Sequence, residues 1–227
     1  MFRRDDIPVS VGLLIDNSGS MRSVRSAVEE AALTFADASN RDDELFVINF
    51  ADKPHLDVPF TSDRAVLERS IRRTDAIGGT AMRDAVDQAE RYLHECGSRD
   101  RRALLIVTDG EDNTSTVSLD QITKVAQQRD IVIYAIGLFG HVERSKAARS
   151  ALDHLTERSG GMSYYPSDIE NIDAVARDVA HQIRNQYTLG YAPLNQALDG
   201  TYRTIQVKVT ARERYYPRTR TGYLATP

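Results

Sequence analysis

Short apolar runs alternate with amphipathic helical patterns along the first 186 residues, and this alternation limits the possible folds more than any other feature. The clearest apolar runs lie at 9–16, 44–50, 103–109 and 131–139, and three of them are almost continuously apolar. Continuous apolar character indicates strands that are covered on both faces, as in a parallel sheet. The alternation therefore predicts a doubly wound α/β fold, with a mostly parallel sheet between two layers of helices.

A shorter run at 55–61 contains Pro59, which has no backbone N–H to donate and therefore belongs at a sheet edge. With this run as one antiparallel edge strand, the expected architecture is Rossmann-like. After Gln186 the helical period ends, and segments rich in Tyr, Thr and Val lie between Gly, Pro and Asp residues. We therefore predict an α/β domain at 1–186 and a short β-rich extension at 187–227, outside the main sheet.

Composition excludes several classes of function. The formal net charge of −4 opposes binding to nucleic acid, because the overall field would repel phosphates. No apolar run approaches the ~20 residues that a membrane-spanning helix needs, so membrane insertion is not expected. The N-terminal MFRRDDIPVS does not have the apolar core of a signal peptide, so we expect a cytoplasmic location, or an extracytoplasmic or secreted one if the sequence is a trimmed part of a longer protein. Cys96 is the single cysteine, so no intrachain disulfide forms, and we expect it to be a small buried hydrophobe.

Polar side chains follow two of the apolar runs, where the strands end. The stretch LLIDNSGSM presents Asp16, Ser18 and Ser20, and ALLIVTDGEDN presents Asp109. Between them, AIGGTAMRDA places Thr80 after two glycines at the start of a helix. Ligands of open parallel sheets bind outside the carboxyl ends of the strands, so we expect these five residues to lie at one edge.

Each of the five residues also has an ordinary structural interpretation. Asp16 or Ser18 could cap the following helix, Thr80 could be an N-cap, and Asp109 could belong to a turn. Together, however, two carboxylates and three hydroxyls form an oxygen-only set, which suits Mg²⁺, Mn²⁺ or Ca²⁺ rather than zinc or copper. We predict a bound Mg²⁺ that keeps a position for an anionic ligand, such as an Asp or Glu side chain of a protein partner.

The three motifs resemble the metal-ion-dependent adhesion site (MIDAS) of von Willebrand factor type A domains. The motifs are D-x-S-x-S, a threonine after two glycines, and an aspartate in VTDG, in the chain order of that family. The resemblance covers about residues 9 to 186. The tail segments YTLGYAP, GTYRTIQVKV and RTGYL are similar to the end of a bacterial subgroup of von Willebrand A-related proteins that is abundant in acidobacteria.

By this resemblance, Ser18, Ser20 and Thr80 would contact the metal directly or nearly so, and Asp16 and Asp109 would bind it directly or through water. The resemblance implies a protein-binding module for adhesion or assembly. Two alternatives stay open: a structural scaffold domain without a metal-dependent ligand and, less favoured, a metal-dependent hydrolase.

The residues themselves argue against an enzyme. An aspartyl nucleophile of the phosphatase type needs a second acid two residues on, where this chain has Ser18. The G-x-S-x-G motif of acyl-transfer serines is absent around that serine, and no histidine lies beside a motif. We therefore predict a binding protein and not an enzyme.

The segment 201–220 is basic, with six Arg and Lys residues against Glu213 alone, a net charge of +5. It is either a solvated ribbon or a docking element. As a docking element, the extension would pair with an N-terminal β region that this chain lacks, or with a second chain.

Overall fold

The computed structural model describes residues 2–4, 7–72, 77–109, 111–139, 145–168, 171–210 and 217–225. Its strands, in chain order, are β1 Phe2–Arg4, β2 Val9–Asp16, β3 Glu44–Phe50, β4 Pro54–Thr61, β5 Arg101–Thr108, β6 Ile131–Gly137, β7 Ser163–Tyr164, β8 Tyr187–Leu189, β9 Tyr202–Thr204 and β10 Gly222–Leu224. Its α-helices are α1 Arg25–Ala38, α2 Arg64–Ile71, α3 Met82–Cys96, α4 Leu119–Gln128, α5 Ser145–Ser159 and α6 Ile172–Arg184. A short 3₁₀ helix spans Gly19–Ser23.

Six of the strands form one sheet in the order β4-β3-β2-β5-β6-β7. All neighbouring pairs are parallel except β3 and β4, which are antiparallel. This arrangement confirms the predicted fold, including the single antiparallel edge strand that contains Pro59. The central position of β2 places Ile15 opposite Asn49 of β3 and Val107 of β5, so the ends of these three strands lie side by side.

The two faces of the sheet carry separate apolar cores. Leu13 and Ile15 of β2 point to the core that contains α1, α2 and α6, whereas Leu14 points to the core that contains α3, α4 and α5. Alternate residues of a strand face opposite sides, and here both sides are apolar. The covered faces explain why the strands are continuously apolar in the sequence. None of the described helices is both long and apolar enough to cross a membrane.

Three local features differ from the expectations. The helix α2 and the two-residue strand β7 were not predicted; α2 begins where the Asp63 side chain accepts a hydrogen bond from Ala65 N at 2.9 Å. Cys96 is exposed at the end of α3, so the prediction of a buried thiol is wrong. The apolar stripe of α3 ends at Leu93, and the next turn of the helix extends into solvent.

The extension lies outside the main sheet, as expected. Its first strand, β8, pairs antiparallel with β1, and β9 pairs antiparallel with β10. The Asp199-Gly200 turn leads into β9 and does not close a hairpin between two neighbouring strands, because the partner of β9 is β10. Gly200 has a φ of +73°, which glycine adopts without strain.

The extension also lies at the edge of the sheet where the parallel strands begin. Arg101, the first residue of β5, donates hydrogen bonds to the backbone oxygens of Arg184 at 3.3 Å and Gln186 at 3.4 Å, in the segment that leads directly into the extension. Arg220 pairs with Asp130, which immediately precedes β6. An eight-residue strand is about 25 Å long. The length of the strands therefore separates the extension from the carboxyl ends of the sheet.

Glu90 of α3 is a buried acid that makes no side-chain hydrogen bond in the described structure. Glu90 is 0% exposed. Burial, together with the charge of Asp87, raises the pKa of Glu90 from its ordinary 4.5 to about 9, although Arg129 acts in the opposite direction. The carboxyl group is therefore neutral at pH 7 in the folded chain and ionised in the unfolded chain.

Glu90→Gln should make the free energy of unfolding less dependent on pH. Between the ordinary pKa of 4.5 and the folded pKa of about 9, the unfolded wild type releases a proton that the folded form retains. The free energy of unfolding should therefore fall as the pH rises through this window, and glutamine removes this loss. Urea unfolding at pH 5, 7 and 8.5 should show the advantage of the variant growing with pH. Glu95→Gln, at an exposed position of the same helix, is the control; equal pH slopes for Glu90→Gln and wild type would contradict the prediction.

Candidate metal centre

Asp16 is the last residue of β2, and its carboxylate is completely buried. One oxygen, Oδ1, accepts a hydrogen bond from Ser18 N at 2.8 Å, and the other, Oδ2, accepts one from Thr108 Oγ1 at 2.5 Å. Thr108 is the last residue of β5, so the carboxylate joins two strand ends. Burial raises the pKa of Asp16 to about 6; the hydrogen bonds act against this rise, and the charge of Asp109 adds to it.

The two serines and Asp109 continue the same cluster. Ser18 Oγ and Ser20 Oγ are 3.0 Å apart, and the Ser20 side chain is hydrogen-bonded to Asp109. Burial raises the pKa of Asp109, and the charge of Glu111 contributes to the rise. The structure therefore brings four of the five predicted residues into one hydrogen-bonded group at the carboxyl ends of β2 and β5.

Thr80, the fifth residue, comes from the loop before α3 and is 3% exposed. Backbone hydrogen bonds join this loop to the serine loop: Gly19 N donates to Gly78 O at 3.1 Å, and Ile77 N donates to Asn17 O at 2.9 Å. Gly78 has a φ of +89°, a left-handed conformation that favours glycine. The Gly-Gly pair thus lets the Thr80 loop approach the serine loop closely.

The capping interpretations of Ser18 and Thr80 do not hold. Ser18 precedes the 3₁₀ helix, but its side chain makes no capping hydrogen bond. The N-cap of α3 is Ala81, one residue after Thr80. The hydroxyls of Ser18 and Thr80 are therefore not explained by the start of a helix.

Hydrogen bonds that the sequence did not predict hold the loop after β5 against the start of α3. Asn113 Oδ1 accepts from Thr80 N at 2.9 Å, and Asn113 N donates back to Thr80 O at 3.0 Å. Asp112 accepts from Arg83 N at 2.7 Å and from Ser115 Oγ at 2.7 Å. Burial alone would raise the pKa of Asp112, but these hydrogen bonds and the Arg83 charge hold it below its ordinary value. The acids that follow VTDG were visible in the sequence, but their partners on α3 were not.

The chemistry of the cluster fits a hard divalent cation. Its possible ligands are two carboxylates and three hydroxyls, and hard cations prefer such oxygen donors. The described residues contain no group of three or more His, Cys, Asp or Glu side chains suited to a metal, so any site here depends on the hydroxyls. A cation would stabilise the ionised forms of Asp16 and Asp109, two neighbouring acids that burial disfavours as anions.

Comparison with known proteins agrees with the fold and the motifs. Residues 11–111 match the sequence model of the family described as von Willebrand factor type A domain. A calcium-activated chloride channel regulator 1 from Sus scrofa is 26% identical over 176 residues, which cover 70% of this chain and 17% of that protein. The chain spans less than half the length of the curated relatives it matches.

Solved structures share the fold at lower identity. A von Willebrand factor type A protein from Catenulispora acidiphila superposes with a TM-score of 0.67 at 23% identity, covering 78% of this chain and 43% of that one. Proximal thread matrix protein 1 from the mussel byssus, solved with a zinc-occupied MIDAS motif, gives a TM-score of 0.66 at 17% identity, covering 84% and 50%. Residues 11–111 are therefore similar to the von Willebrand factor type A family, and the chain shares the fold of solved von Willebrand factor type A proteins.

Proposed function

We propose that this chain is a protein-binding module, for adhesion or assembly, that recognises a carboxylate of its partner through a bound divalent cation. The observation that supports this most strongly is the Asp16–Ser18–Ser20–Asp109 cluster, which joins the carboxyl ends of two parallel strands. Von Willebrand factor type A domains are commonly protein-interaction or adhesion modules. The proposal assigns this general role to the cluster and to Thr80 beside it.

The proposed metal ligands are Asp16, Ser18, Ser20, Thr80 and Asp109, and the proposed ion is Mg²⁺, with Mn²⁺ or Ca²⁺ as substitutes. A bound cation would supply an electrophilic centre for an anionic group. The hydroxyls are neutral donors, so only two carboxylates oppose the charge of the ion. An ion held in this way retains attraction for a carboxylate of the partner. Zinc occupies the MIDAS of the mussel protein, so it belongs among the ions to be compared.

The alternative interpretations predict different behaviour. A scaffold domain would bind its partners equally well with and without metal. A metal-dependent hydrolase would need a group that activates water beside the ion, and none of the histidines that the structure describes is hydrogen-bonded to the cluster. The relatives described above do not include a hydrolase by name. We therefore favour a binding module over both alternatives.

The first test of this proposal is metal binding. Mg²⁺ or Mn²⁺ should raise the melting temperature of the wild type by about 5 °C at roughly a hundredfold excess over the dissociation constant, because only the folded chain binds the ion. Asp16→Asn and Thr80→Ala should remove most of this rise, and Thr210→Ala, at an exposed position in the extension, should not. A wild type with no shift in tens of millimolar metal would contradict the proposed site.

The second test concerns the partner. Protein captured by the wild type in Mg²⁺ should be released by a chelator, because the proposed contact is a carboxylate bound to the ion. Thr80→Ala should retain the fold and lose capture, and Thr210→Ala should capture normally. A partner that stays bound in excess chelator would contradict metal-dependent recognition and favour the scaffold interpretation.

The third test separates the extension from the site. We propose that the extension is an independent docking element for a β region or a second chain, as the likeness of the tail to the acidobacterial subgroup suggests. Arg220 of the extension pairs with Asp130 at the opposite edge of the sheet, so deletion of 188–227 should leave metal affinity unchanged and alter assembly or solubility. Calorimetric titration and size-exclusion chromatography would measure both effects. Loss of metal binding from a truncated chain that is still folded would refute the division at residue 187.

A further inference from the structure

A chain of three polar side chains connects the serine loop to the antiparallel edge strand. Asn17 lies between Asp16 and Ser18 and is 2% exposed. Its Nδ2 donates to Asn49 Oδ1 of β3 at 2.7 Å, and Asn49 Nδ2 donates in turn to Asp57 Oδ2 of β4. Asn49 is also buried, at 4% exposed. None of these three side chains belongs to the metal ligands proposed above.

The carboxylate at the end of the chain sets its direction. The Asp57 carboxylate oxygen accepts the hydrogen bond, so the amide nitrogen of Asn49 faces it. The amide oxygen of Asn49 then faces Asn17, which must present its own nitrogen. This order leaves Asn17 Oδ1 buried and without a hydrogen-bond partner in the described structure. A buried oxygen without a hydrogen bond costs free energy. The hydrogen bond from Asn17 Nδ2 to Asn49 Oδ1 therefore holds the Asn17 amide in this orientation.

The backbone of Asn17 connects both loops of the candidate site. Its N–H donates to Phe50 O at 2.7 Å, at the end of β3, and its carbonyl accepts from Ile77 N at 2.9 Å. The backbone of Asn17 thus links the serine loop both to the end of β3 and to the loop that contains Thr80. If the Asn17 side chain is held in one orientation, the two loops are held in one relative position.

We propose that Asp57, acting through Asn49, is a positioning residue that holds Asn17 and thereby fixes the serine loop against the Thr80 loop. The part of this inference that concerns metal affinity rests on the proposed function. Groups that hydrogen-bond directly to metal ligands commonly alter affinity by about 10- to 100-fold when they are lost, and Asp57, which acts from further away, should have an effect at the lower end of this range. Sequence position gives no indication of this role, because Asp57 lies on an edge strand, 39 residues after Ser18 and 37 after Ser20.

Two matched substitutions at one position distinguish hydrogen bonding from charge. Asp57→Ala removes the acceptor, and Mn²⁺ affinity should fall about tenfold. Asp57→Asn removes the negative charge and keeps an acceptor oxygen for Asn49, so its affinity should remain near that of the wild type. His55→Ala is the control. His55 Nε2 lies 3.4 Å from Asp57 Oδ1 on the solvent side, and His55 does not belong to the Asn17–Asn49–Asp57 hydrogen-bond series. If Asp57→Asn weakens Mn²⁺ binding as much as Asp57→Ala does, long-range charge explains the effect and the inference is wrong.

Amide hydrogen exchange of the metal-free protein tests the positioning without any metal. Gly19 N and Ile77 N form the hydrogen bonds that join the two loops, and both should exchange faster in Asp57→Ala and Asn49→Ala. Leu138 N, which donates to Thr108 O at the same edge, should exchange at the wild-type rate. Faster exchange in a protein whose wild type binds no Mn²⁺ would support the positioning and reject the metal proposal. A wild type that binds Mn²⁺, with exchange and affinity unchanged in both alanine variants, would overturn the inference alone.

Discussion

The hydrogen bonds that the Asp16 carboxylate accepts are the interaction on which the candidate site depends. They join the end of β2 to Thr108 at the end of β5 and to the backbone of Ser18. Parallel pairing brings the two strand ends together, and the carboxylate holds the first turn after β2 against them. Together with the backbone hydrogen bonds of Asn17 and Gly19, this contact places the Ser18 and Ser20 hydroxyls beside Asp109.

This arrangement has an electrostatic cost, since two acids lie close together in partly dehydrated surroundings. The pKa values of Asp16 and Asp109 are both raised, chiefly by burial. A fold gains nothing in stability from buried acids of the same sign unless a cation or a proton compensates them. This cost favours a binding role for the cluster over a purely structural one. Asp112 provides a contrast, because hydrogen bonds from Arg83 and Ser115 and the Arg83 charge stabilise its carboxylate within the chain.

The sheet also separates two kinds of surface. The carboxyl ends of the strands carry the candidate metal ligands, and Arg220 of the extension pairs with Asp130 at the beginning of β6. The strands between these edges are buried on both faces and form a stiff spacer of about 25 Å. Such a layout allows one edge to bind a ligand while the other contacts a different part of an assembly.

The sequence alone determined the α/β architecture and the location of the polar cluster, because covered strands must be apolar and parallel strands end at the same edge. It also contained all five candidate ligands in recognisable motifs. Only the tertiary structure decided which side chains meet: Asp112 with Arg83, Asn17 with Asn49, and Asp57 behind them. It also decided that Cys96 is exposed. The reason is physical. The pattern of apolar residues in a strand reflects burial and can be seen in the strand's own sequence. A hydrogen bond between two distant segments depends on how both segments run in the fold, and it produces no repeating pattern in the sequence of either segment.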